Sequence, residues 1–168
     1  MPAKIKVSDI KWLSVWCRSF EVNFGDLIAD FGFEVSYNGV GEDGDRDLDT
    51  KILIAEQLGT RSDDPESPDT SAPRLIGNFT THTHGVVGQV FAVDERTLRI
   101  EGFEYDGEAP DAFFFAGISG SKPGLPNSKG FLLPYPFNGK YYDYSDKTAP
   151  ILDRKFEGVS CYLCVRAN

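Results

Sequence analysis

The sequence predicts an all-β fold: a β-sandwich-like domain of short antiparallel strands and long Gly/Pro loops, with an acidic linker between its two parts. Three observations carry this. Apolar and polar residues alternate with a period of two over residues 86–93 and again over 97–103, the pattern of strands with one covered face. Seventeen Gly and ten Pro punctuate the 168 residues, which favours short strands and many turns. No segment supports a long helix. Hydrophobic residues make up 40% and aromatics 13%, enough for one packed core in a chain of this length.

Taken in order, residues 1–37 form a first block of strands. Its centre is the run from Asp9 to Gly25, which holds two Trp, two Phe and a single Cys. As a strand it sets Leu13, Val15 and Cys17 on one face and Ile10, Trp12, Ser14, Trp16 and Arg18 on the other. Bulky apolar groups on both faces predict a strand covered on both sides. Residues 7–24 read as two consecutive strands broken near Arg18 and Ser19, and residues 33–37 as a further short strand. Residues 38–73 are an acidic, flexible linker. Within it 51–58 fits either strand or helix, and 59–73 is polar and Pro-rich.

Residues 74–158 form the second part. The alternating runs 86–93 and 97–103 make a hairpin around an Asp94-Glu95-Arg96 turn. Tyr105-Asp106-Gly107 is the next turn, and residues 112–117 are a wholly apolar, central strand. A Gly/Pro/Ser-rich loop with embedded aromatics covers 118–139, and 140–146 adds three Tyr. Residues 151–156 read as the last strand, and 159–168 as an atypical tail.

The net charge of −9 without a basic cluster argues against nucleic acid and anionic membranes as partners. No run reaches the length of a membrane span, so no membrane insertion of this chain is expected. The N-terminus lacks the apolar segment of a secretory signal. No Ser/His/Asp set, paired-carboxylate signature or phosphate loop appears, so the reading leans away from an enzyme.

The candidate sites are few. Cys17, Cys161 and Cys164 are an odd set of thiols, which excludes a disulfide framework. Cys17 is either a small core hydrophobe or a protected reactive group. Cys161 and Cys164 form a lone Cys-x-x-Cys, weak by itself. His82 and His84 would share one side of a strand and could share a metal. No third ligand is evident near them, and a structural or surface role is preferred, so no metal is assigned. Asp43, Asp45, Asp47 and Asp49 alternate as in a calcium loop, but Thr50 stands where glycine is required. A solvated acidic loop is preferred. Asn78-Phe79-Thr80 is a glycosylation sequon.

Three stretches resemble a known family: residues 84–90 (His-Gly-Val-Val-Gly-Gln-Val), 93–100 (Val-Asp-Glu-Arg-Thr-Leu-Arg-Ile) and 103–117, from Phe103-Glu-Tyr-Asp-Gly to Phe-Phe-Phe-Ala-Gly117. Together they resemble the first part of a DM-thirteen domain of the Skeletor and Knickkopf type. Residues 9–25 resemble the end of the same domain, so the order is reversed. A tandem array cut out of register and a circular permutation both stay open, as does a truncated gene model. In either case residues 10–24 are expected to dock on the sheet formed by 85–117.

The resemblance implies electron transfer through Cys17, as a redox thiol or through a bound haem for which Cys17 and His84 are the candidate ligands. It implies an extracellular or secreted setting within a longer parent chain. Partners would be the extracellular matrix or a redox partner protein, with pairing between copies of the domain a further expectation. The alternative is a non-catalytic structural or binding module of extracellular or cuticular matrix, with the aromatics of 131–144 as its contact surface.

Overall fold

The computed structural model describes residues 4–31, 72–120 and 130–165. The strand expected over 33–37, the acidic aspartates and most of the linker lie outside them. A 3-10 turn at Val7–Asp9 leads into nine strands among the described residues: β1 Trp12–Cys17, β2 Val22–Ile28, β3 Arg74–Asn78, β4 Thr80–Thr81, β5 Val87–Ala92, β6 Thr97–Tyr105, β7 Ala112–Gly117, β8 Gly130–Leu133 and β9 Phe156–Cys164. They form two antiparallel sheets, in the orders β4-β2-β1-β7-β8 and β3-β5-β6-β9. The domain is all-β, as the alternation predicts. No helix among the described residues is long and apolar enough to cross a membrane.

β1 is the middle strand of the five-stranded sheet and is buried at every position. Its inward side chains Leu13, Val15 and Cys17 join the core between the sheets, with Phe24, Phe103 and Phe114. Its outward Trp12 and Trp16 form a second cluster with Phe113, Phe115, Leu132 and Tyr142. The two faces divide as the sequence indicates, with one exception. Strict alternation sets Ile10 with the tryptophans, but it lies in the core between the sheets. Its backbone still closes the 3-10 turn, donating to the Val7 carbonyl, so strand alternation starts only at Trp12.

The N-terminal strands do dock on the later ones. β1 pairs with β7 along its whole length, from Trp12 opposite Gly117 to Cys17 opposite Ala112. The partner differs from the expectation of a single sheet over 85–117. The hairpin β5–β6 belongs to one sheet and β7 to the other. The reason is visible in the patterns: β6 alternates and covers one face, whereas β7 is buried throughout. Gly117 makes the β1–β7 contact possible, because a Cβ there would lie 2.1 Å from the Trp12 ring.

The C-terminal part also differs. The last strand is Phe156–Cys164 rather than residues 151–156, and it pairs with β6 from Tyr105 opposite Phe156 to Thr97 opposite Cys164. Residues 159–164, set apart as tail by sequence, are thus strand, with Cys161 and Leu163 fully buried. Gly158, at φ +65°, interrupts the alternation that would have revealed the strand. Within the Gly/Pro-rich stretch 118–139, Gly130–Leu133 forms β8, a fully buried strand beside β7.

Candidate functional site

Cys17 ends β1 with no solvent exposure. The next residue, Arg18, leaves on the other face. Its guanidinium meets Asp111 through Nε to Oδ2 at 3.0 Å and Nη2 to Oδ1 at 2.9 Å. It also lies 4.7 Å from the centre of the Phe113 ring. Arg18 and Asp111 therefore fix the end of β1 against the start of β7, and the arginine is committed to a carboxylate away from the thiol.

On the core side the group near Cys17 is Tyr105, the last residue of β6, with 1% exposure. Its hydroxyl oxygen accepts the Ala109 N–H at 3.2 Å. Burial raises the phenol pKa, the Ala109 hydrogen bond opposes the rise, and the neighbouring Asp106, Cys17 and Glu108 add to it. The Phe24 ring of β2 stacks on Tyr105 at 6.2 Å and 21°, and lies against His84 at 4.2 Å with the rings tilted by 49°. His84 and Tyr105 are 6.3 Å apart at 62°. These rings form a continuous array from the buried thiol to the surface.

The surface end is His84. Its Nδ1 lies 2.7 Å from Asp106 Oδ2 and 3.0 Å from Oδ1. Both side chains are partly exposed. His84 is not on a strand: β4 stops at Thr81, and His84 has a left-handed φ of +56°. The Asp106 N–H donates to the His84 carbonyl at 3.2 Å, which ties the two loops together. Gly107, at φ +77°, packs so close to the Arg154 backbone that a Cβ would lie 2.5 Å from it. That contact sets the turn that carries Asp106 and Glu108. Ligand atoms of His84, Asp106 and Glu108 all lie within 4.8 Å of one another.

His82 goes elsewhere, to Asp26 Oδ2 at 2.9 Å. The two histidines do not share one side of a strand, because β4 stops at Thr81 and the backbone turns left-handed at His84. The groups that join His84 are more than twenty positions away in sequence. What points to them in the sequence is the Tyr105-Asp106-Gly107 turn, whose residues suit turn geometry and binding equally.

A cleft of about 360 Å³ opens beside His84, lined also by Glu104, Tyr105, Asp106, Lys155, Phe156 and Glu157. Cys17 is not on its wall. A haem needs its axial ligand on an open slot. Cys17 is fully enclosed by core side chains, so a haem held by Cys17 does not fit this arrangement. His84 by itself faces the cleft.

The remaining candidates separate by burial. Cys161 is buried and accepts a hydrogen bond from Tyr135, and burial pushes its thiol up to about 11. Cys164 is half-buried, and all three thiols are free. Positions three apart on a strand face opposite ways, so Cys161 and Cys164 do not make a facing dithiol. Asn78 is exposed at the end of β3. Of the aromatics expected to offer a contact surface, Phe131 and Tyr142 are core, while Tyr141 is 39% exposed.

Comparison with known proteins bears on this arrangement. The family model described as "Electron transfer DM13" matches residues 1–28 and 78–148. These segments include Cys17, Phe24, His84, Tyr105, Asp106 and Glu108. Two relatives in Drosophila melanogaster, Protein Skeletor isoforms B/C and isoforms D/E, are each 33% identical over 141 residues, which is 83% of this chain. The match covers 13% and 7% of those proteins, so the chain spans only a small part of their length. No solved structure gives a significant match. With the family model covering more than half of its residues, in both the N-terminal strands and the later part, the chain belongs to the electron-transfer DM13 family.

Proposed function

We propose that this domain passes single electrons through the Cys17 thiol, with Tyr105 linking the buried sulfur to the His84 face. The observation that supports it is the array of Tyr105, Phe24 and His84 between the thiol and the cleft. A fully buried thiol cannot meet an oxidant directly, so a redox role needs a relay. Tyrosine is a suitable one, because it can lose an electron and a proton and be restored.

In this reading a one-electron acceptor at the cleft takes an electron and a proton from Tyr105. The resulting tyrosyl radical takes a hydrogen atom from Cys17: the S–H bond breaks, the phenolic O–H bond re-forms, and the unpaired electron moves to sulfur. The acceptor would be a redox partner protein, and the setting a longer extracellular parent chain. The exposed sequon at Asn78 suits that setting.

The test is stoichiometric oxidation by a soluble one-electron oxidant, in a Cys164→Ser background that removes the half-buried thiol. The protein should consume the oxidant at Cys17. Cys17→Ser should abolish oxidation at sulfur while Tyr105 is still oxidised, and so leave a longer-lived tyrosyl signal by electron paramagnetic resonance. A parent protein in which Cys17 is not oxidised, or a tyrosyl signal whose lifetime is the same in parent and Cys17→Ser, would overturn the reading. A second reading, a non-catalytic matrix module, is favoured by the complete burial of Cys17, and it expects that negative outcome.

A further inference from the structure

We infer that His84, Asp106 and Glu108 form a binding site for a divalent transition-metal ion. The inference does not depend on the redox reading, because none of these residues is a thiol.

The first argument is the donor set. One imidazole and two carboxylates come from two loops, and their ligand atoms all lie within 4.8 Å of one another. Donors bound about 2.1 Å from one ion are separated by roughly 3–4 Å, so binding requires the widest pair to close by about an ångström. Asp106 and the His84 Nδ1 are hydrogen-bonded at 2.7 Å, so an ion would displace the shared proton and part them slightly.

The second argument is what a simple His–Asp pair leaves unexplained. That pair accounts for Nδ1 and Asp106, but not for Glu108 brought beside them. Among the described residues the Glu108 carboxylate has no hydrogen bond or ion pair. Its backbone N–H donates to Asp106 Oδ1 at 3.0 Å, which holds it in place. The cleft beside the site adds Glu104 and Glu157, and its Lys155 is already paired with Glu157. Gathered carboxylates repel one another, and a bound cation would relieve that repulsion.

The third argument is selectivity. Calcium and magnesium take oxygen ligands. A nitrogen donor with two carboxylates suits zinc, copper, nickel or manganese. Three protein ligands leave at least one position open toward the cleft, as in sites that keep a water or exchangeable ligand.

Zinc titrated calorimetrically into the full chain tests this, with Cys17→Ser and Cys164→Ser in the background to exclude thiol binding. One ion per chain is expected. Glu108→Gln, an exposed and structurally mild change, should weaken binding at least tenfold. His84→Asn, which tolerates the left-handed backbone, should abolish it. His82→Ala should leave it unchanged. With Cu²⁺ as the probe, paramagnetic resonance should show coupling to a nitrogen that disappears in His84→Asn. No saturable 1:1 binding, or zinc affinity equal in parent, Glu108→Gln and His84→Asn, would overturn the site. Circular dichroism confirms folding of each variant, and Glu108→Gln carries the test if His84→Asn does not fold.

Discussion

At the scale of single residues, the Arg18–Asp111 pair is where burial and charge are most tightly coupled. Their side chains are 5% and 14% exposed. Arg18 also donates to the Tyr144 and Asp146 carbonyls. Arg18→Ala leaves a mostly buried carboxylate with the Ser19 hydroxyl as its remaining side-chain donor, and takes a donor from two carbonyls. A loss of about 3 kcal/mol is expected, read from the urea midpoint. A double-mutant cycle with Asp111→Ala should give a coupling above about 1 kcal/mol. The sequence placed Arg18 on the face opposite Cys17 correctly but offered no partner, since Asp111 lies far along the chain.

The thiols give a second residue-scale prediction. Cys164 should alkylate first under native conditions, and Cys17 and Cys161 only on unfolding, read by mass spectrometry of the labelled peptides. Cys161 also sets a pH dependence. Its thiol moves from an ordinary 9.0 to about 11 in the folded state, so the folded chain keeps a proton that the unfolded chain loses. Its contribution to stability is fully present below about pH 9 and is lost as pH rises through about 11. The raised phenols of Tyr105 and Tyr135 act in the same direction. Cys161→Ala should flatten that alkaline decline, measured as melting temperature against pH.

At the scale of elements, the interior of the five-stranded sheet depends on small residues beside large rings. Gly117 and Gly130 face each other across β7 and β8. A Cβ at Gly117 would lie 2.1 Å from Trp12, and one at Gly130 2.3 Å from Phe115. Gly117→Ala should cost about 1–3 kcal/mol through displacement of the indole, seen as a lower urea midpoint with a shifted tryptophan emission. The apolar run of β7 was legible in sequence, and so was the two-faced burial of β1. β8 and β9 were not. β8 is only four residues long within a Gly/Pro-rich stretch. In β9 the extra residue opposite Phe103 and Tyr105 breaks the period of two, so Cys161-Tyr162-Leu163 reads as a short alternation without a visible partner. The pairing of His84 with Asp106 was hidden for a similar reason: a left-handed backbone at His84 leaves no periodic trace.

At the scale of the whole molecule, the N-terminal hairpin is part of the domain's interior rather than an appendage. β1 lies between β2 and β7, and its inner face supplies Leu13, Val15 and Cys17 to the common core. β2 reaches β4 through Gly25 opposite Thr81. The hydrogen bonds and apolar area that join residues 4–31 to the rest are those of a sheet centre, and a sheet split there would expose two unpaired edges and an open core. Covalent continuity between β2 and β3 is therefore not what holds the parts together. A specific protease site inserted between residues 59 and 73 tests this. After cleavage the two fragments should co-elute as one species on size exclusion and keep the native circular dichroism spectrum. Their unfolding midpoint should then fall on dilution, because association has become bimolecular. Fragments that separate in native buffer would show that β1 and β2 contribute little to the core. In that event the enclosure of Cys17 against Tyr105, on which the electron-transfer reading depends, would fail with them.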